Sequence, residues 1–157
     1  VAGARKVKLD CEGSFSQAAV RVLRVRSKEV FAHSEGVLDL GEVERVHDMR
    51  VATRRLRAAL EVFEPCFPQK RHRKALKKVK ALADALGERR DADVEIAMLD
   101  GLLDEAAEAD RDALIALIEE LRVRQAEANE SLAPYVAPKR LKKLRRRLKK
   151  LVKKVER

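Results

Sequence analysis

Aliphatic residues recur along most of this chain in steps of three and four, the spacing that lines up one side of an α-helix. Near the C-terminus Leu141, Leu144, Leu148, Leu151 and Val155 follow it. So do Ala75, Leu76, Val79, Leu82, Ala83 and Leu86, and further on Leu114, Leu117, Ile118 and Leu121. Val46, Met49, Thr53, Leu56, Leu60 and Phe63 form another such stripe. Only 6 Gly and 4 Pro interrupt 157 residues, so turns are few and the regular elements must be long. Period-2 alternation and glycine-rich turns are missing, which argues against a β-sandwich or an α/β nucleotide-binding fold. An apolar fraction of 46% is enough for a core, and with 4 Phe, 1 Tyr and no Trp that core must be aliphatic. The expected fold is therefore all-α, an antiparallel bundle of about six helices forming one domain over residues 1–157.

Local signals place the six segments. The first opens at Ser14, where Ser14 and Gln17 make a capping box, and runs to about His33. A loop over 34–41 carries Gly36 and Gly41 as breakers. The second segment covers 42–63 and must stop before Pro65. The third starts after Pro68 and ends at Leu86, with Gly87 placed as its C-terminal cap. A fourth over 90–105 follows, with Asp91 suited to capping its start. The fifth covers 110–132, closed by Pro134, and the sixth opens at Pro138 and continues to the end.

Charge is distributed unevenly. Residues 1–86 hold 19 Lys and Arg against 11 Asp and Glu, residues 87–138 hold 5 against 14, and residues 139–157 hold 12 against 1. Two basic blocks thus flank an acidic one, an arrangement suited to a polyanionic ligand such as nucleic acid, an anionic membrane surface or a phosphate polymer. The bland alternative is mutual neutralisation of basic and acidic helices inside the fold. No run approaches the ~20 apolar residues that a membrane-spanning helix requires. Two cysteines, Cys11 and Cys66, and no signal-peptide pattern point to a reducing, cytoplasmic setting.

The second segment carries the most chemistry. His47, Arg50, Arg54 and Arg57 stand at i, i+3, i+7 and i+10 and share one helix face ~15 Å long. Like charges so aligned repel one another by a few tenths of a kcal/mol per neighbouring pair. Something anionic belongs along them, either the acidic helices of the same chain or an external polyanion. Arginine suits the second role, because its planar fork gives two hydrogen bonds to one phosphate. In the third segment Lys70, Lys74, Lys77 and Lys78 lie away from the apolar stripe, either continuing the basic surface or forming an ordinary solvated face. Arg90 is open between anion contact and an ion pair. The basic helix over 138–157 could extend a polyanion site, meet a partner, lie on an anionic membrane or serve solubility.

The sequence His47-x-x-Arg50-Val51-x-x-Arg54-Arg55-Leu56-Arg57, followed by Leu86-Gly87-x-x-Arg90-Asp91-x-Asp93-Val94, resembles the CHAD domain, the conserved-histidine α-helical domain. The likeness is close over residues 40–95 and looser beyond. It implies an all-helical, non-catalytic module that binds inorganic polyphosphate, often on polyphosphate granules and sometimes beside a triphosphate tunnel enzyme domain. The residues of these motifs expected to bind are His47, Arg50, Arg54, Arg55, Arg57 and Arg90, and the helix-face reading of the third segment adds Lys70, Lys74, Lys77 and Lys78. Full-length members resemble two related bundles, each with a His-x-x-Arg helix, whereas this chain has one such helix and opens at Val1. The expectation is a half-length member or a fragment, with a twofold homodimer as one way to rebuild the second half.

Little points to catalysis. No phosphate-binding glycine loop or nucleophile elbow is present, and His33, His47 and His72 have no zinc-site spacing, so no cofactor is called for. His47-Asp48 on a bundle is weakly similar to a phosphotransfer histidine, but the surrounding arginines fit anion holding better. Nonspecific nucleic-acid binding is the serious rival, although five aromatics at core-like positions give single strands no stacking platform. A bundle whose basic face docks on an acidic protein is the third reading.

Overall fold

The computed structural model describes residues 3–10 and 12–155, and among them it contains five α-helices and no strand. They are α1 (Phe15–Ala32), α2 (Val43–Val62), α3 (Gln69–Glu105), α4 (Glu108–Val136) and α5 (Pro138–Val152), with a 3-10 turn at Glu64–Cys66 between α2 and α3. Cys66 is a free thiol, and Cys11 lies outside the described residues.

Several starts and stops follow the local chemistry. The Gln17 backbone N–H donates to Ser14 Oγ at 3.2 Å, and the Ser14 N–H donates to Gln17 Oε1 at 2.9 Å, so the capping box is complete. Gly36 adopts φ +67, and a Cβ there would meet Arg45 Nη1 at 2.8 Å. Its loop thus needs glycine both for the backbone angle and for the Arg45 side chain, which donates to the Glu35 carbonyl.

The helix count is five rather than six because nothing breaks at Gly87. α3 runs through it for 37 residues, ~55 Å of continuous helix. A glycine cap needs positive φ, and Gly36 is the one described residue that has it. A mid-helix glycine costs only ~1 kcal/mol, and tertiary packing on both sides outweighs that. Asp91 is consequently an exposed mid-helix residue and caps nothing, contrary to expectation. α4 likewise passes through Pro134 to Val136, because buried Leu132 and Val136 hold both sides of the proline. The described helix of α5 ends at Val152, short of the chain end.

α1 packs on α2, α2 on α3, α3 on α5 and α5 on α1, so four helices form a square with α2 and α5 at opposite corners. The expected α2 stripe from Val46 to Phe63 is buried in its centre, joined by Leu23 and Val30 of α1, Val79, Leu82 and Leu86 of α3, and Leu144, Leu148 and Leu151 of α5. His72 is fully buried and its Nε2–H donates to the Leu60 carbonyl at 2.7 Å, which ties the start of α3 to the end of α2. On α1, Glu29 is 3% exposed. Burial raises its pKa, but hydrogen bonds from Arg26 and the Arg5 backbone N–H, with the charges of Arg26 and Arg55, hold it below the ordinary carboxylate value.

Beyond Leu86, α3 leaves the square except for an Arg90 contact with α2 and packs along α4, forming a projecting hairpin with a separate small core of Leu99, Ile118 and Leu121. Leu117, expected on the buried stripe of this segment, is 43% exposed. At the foot of the hairpin Arg89, wholly buried, forms an ion pair with Asp93 and donates from Nε to Asn129 Oδ1 at 3.2 Å. Gln125 Nε2 donates to Asp93 at 2.6 Å, and Asn129 Nδ2 donates to the Leu38 carbonyl at 2.9 Å. This polar joint fastens α3, α4 and the α1–α2 loop together.

Candidate cationic site

The α2 side chains that escape the core are the ones aligned in the sequence. With Val46, Met49, Thr53, Leu56 and Leu60 directed inward, His47, Arg50, Arg54 and Arg57 must occupy the outer edge of the helix. Arg54 is exposed, while His47, Arg50 and Arg57 are half-buried. Among the described residues, Arg50 and Arg54 make no ion pair. Arg57 differs. Its Nε donates to Glu61 Oε1 at 3.1 Å, and Lys80 of α3 reaches the same oxygen at 3.2 Å. The Arg57 hydrogen bond is the largest influence and, with the added hydrogen bond of Lys80, holds the Glu61 carboxyl below its ordinary pKa against the opposing effect of burial.

The remaining sequence-derived residues do not gather on this edge. Arg55 turns to the α1 side, where its charge acts on Glu29. Arg90 lies 3.6 Å from Glu44 at the first turn of α2, which places it at one end of the stripe as an ion-pair partner. Lys70 and Lys77 are exposed on α3. Lys74 and Lys78 line clefts that α3 forms with α5, on the far side of the square from α2. The lysine of α3 that does reach α2 is Lys80, which sequence reasoning did not select. Its signal was present: Lys80 stands ten residues before Arg90, so the two share a helix face.

Gly87 sits on that same face, between Lys80 and Arg90, where both neighbours contact α2. A Cβ added to it would meet nothing within 4 Å. The wall beside Arg50 and Arg54 is therefore open at this point, and no packing constraint requires glycine. Gly87→Ala should raise stability by ~0.5–1 kcal/mol, read as a higher denaturant midpoint. A lowered midpoint would mean that another group occupies the space.

Among the described residues no group of three His, Cys, Asp or Glu could hold a metal ion, and no helix is long and apolar enough to cross a membrane. At Arg50 and Arg54 the helix edge presents cations without a described ion-pair partner. These features define a class of all-helical domain with a basic helix edge. The chain belongs to the CHAD domain family, which matches it over residues 21–157. That family is associated with polyphosphate binding and is generally non-catalytic. Comparison with curated proteins and with solved structures gives no match.

Proposed function

We propose that this chain is a non-catalytic holder of inorganic polyphosphate, which lies along the α2 edge past Arg57, Arg54, Arg50 and His47, and that this binding targets the protein to polyphosphate granules. The observation that carries the reading is the pair Arg50 and Arg54, adjacent turns of one helix with no described ion-pair partner. Internal neutralisation is the rival explanation for that row. The acidic block sits largely on the projecting α3–α4 hairpin, and its described ion pairs go to Arg89, Arg122 and Arg124, not to the α2 row. Arg90 and Lys80 flank the row but are themselves held by Glu44 and Glu61, so they shape its ends and leave the centre to the ligand.

Long-chain polyphosphate should bind with an affinity that falls steeply with salt, because several phosphates are neutralised together and counter-ions are released. Orthophosphate and pyrophosphate, which reach only part of a ~15 Å row, should compete weakly at matched phosphate concentration. Equal competition by orthophosphate would reject the extended site. Equal competition by duplex DNA at fixed salt would favour a general nucleic-acid binder instead.

A further inference from the structure

The densest cluster of cations without a described ion-pair partner is not on α2. Where the first turns of α3 meet the last turns of α5, a groove of about 510 Å³ is lined by nine residues, and all but Leu151 are Lys or Arg. Arg71 and Lys74 come from α3, while Lys143, Arg146, Arg147 and Lys150 form one face of α5. None of these six makes an ion pair with any described residue. Like charges at spacings of three and four on α5 repel one another. Arg71 and Lys74 add a second cost, since the start of a helix carries the positive end of its dipole and favours acids, and the first turn of α3 holds none. Concave, cation-lined surfaces concentrate potential and draw in anions.

The apolar stripe of α5 narrows the ligand. Leu141, Leu144, Leu148 and Leu151 are buried in the core, so α5 cannot lay that face into a lipid interface as a surface-seeking amphipathic helix does. What remains available is a row of guanidinium and ammonium groups spanning several turns, matched to a linear polymer of phosphates. The groove also lies on the α3–α5 side of the square, and its α5 wall stands at the corner diagonally opposite α2. With neighbouring helices 8–10 Å apart, the axes of α2 and α5 at opposite corners stand ~11–14 Å apart with packed core between them.

We infer that the α3–α5 groove is a second phosphate-polymer site, independent of the α2 edge, and that one chain therefore bridges two polymer strands. The bridging rests on the polyphosphate reading of α2; the groove itself does not. Two faces that engage separate strands convert single-site binding into a network whose strength depends on both.

The test uses long-chain polyphosphate with three proteins: the parent, an α2 variant (Arg50→Ala with Arg54→Ala) and a groove variant (Arg146→Gln, Arg147→Gln and Lys150→Gln), each checked for unchanged helicity. The parent should scatter light strongly near charge equivalence and clear again when polymer is in excess. Each variant should still bind, with affinity reduced on the order of tenfold or more, and neither should scatter. A groove variant that binds and scatters like the parent overturns the inference. So does a parent that forms only small one-to-one particles, the sign of a single strand wrapping both faces. If the α2 variant behaves as the parent while the groove variant loses all binding, the α2 reading falls and the groove stands alone. A groove variant that loses duplex DNA but keeps polyphosphate would overturn the assignment of ligand.

Discussion

Replacing Arg50 and Arg54 together with Ala should weaken binding of long-chain polyphosphate at the α2 edge by a hundredfold or more, while the denaturant midpoint stays within ~1 kcal/mol of the parent. Hydrogen bonds to charged groups are worth about 1.5–3 kcal/mol each, and a forked arginine carries two. Removing both forks at once exceeds the ~2.8 kcal/mol that corresponds to a hundredfold. Stability should change little because neither side chain has a described ion-pair partner, and Ala is the best helix former. The affinity is read with the groove variant as background, so that the α3–α5 cleft does not mask the loss. A double variant that folds normally and binds like that background would show that the polymer runs elsewhere.

The largest stability effect is expected at a buried joint rather than on a cationic face. Arg89→Met should destabilise the fold by about 3–5 kcal/mol, the usual consequence of removing one member of a buried ion pair. Arg89 and the Asp93 side chain are both wholly shielded, and Arg89 also bonds Asn129. Methionine fills much of the volume but leaves the Asp93 charge in an apolar setting, with only Gln125 to hold it. Since small domains have total stabilities of about 5–15 kcal/mol, this single change would remove a large part. Arg89→Met combined with Asp93→Leu should recover a substantial fraction, because two apolar residues leave no buried charge behind. A single variant with the parent's denaturant midpoint would refute the role of this joint.

The same pair shows where the sequence was legible and where it was not. Helix stripes at spacings of three and four identified the core of α2 and of α5 almost residue for residue, since burial of one face dominates a helix in a bundle. The capping box at Ser14 was equally readable because its chemistry is local. Gly87 misled, because a glycine that caps a helix and one that merely weakens it look alike without tertiary structure. Arg89 and Arg90 are adjacent and chemically identical, and only the packing of α4 against α3 makes one a buried joint and the other a rim ion pair. On the cationic surface, the α2 row was legible as a single-helix pattern. The separation of Lys74 and Lys78 from it was not, since it depends on which side of α3 receives α5.

The shape of the α3–α4 hairpin has a consequence for how the molecule breathes. Its outer part rests on three buried apolar residues, against more than twenty in the square. Local unfolding free energy tracks such burial, so the tip near Ala106 opens by a route that leaves the rest of the protein closed. Backbone amides there should exchange with solvent deuterium through this partial unzipping, and those facing Leu56 and Leu86 only through global unfolding. The boundary between the two regimes falls at the Arg89–Asp93 pair, which makes an electrostatic contact, rather than a loop, the border between two cooperative units of one continuous helix.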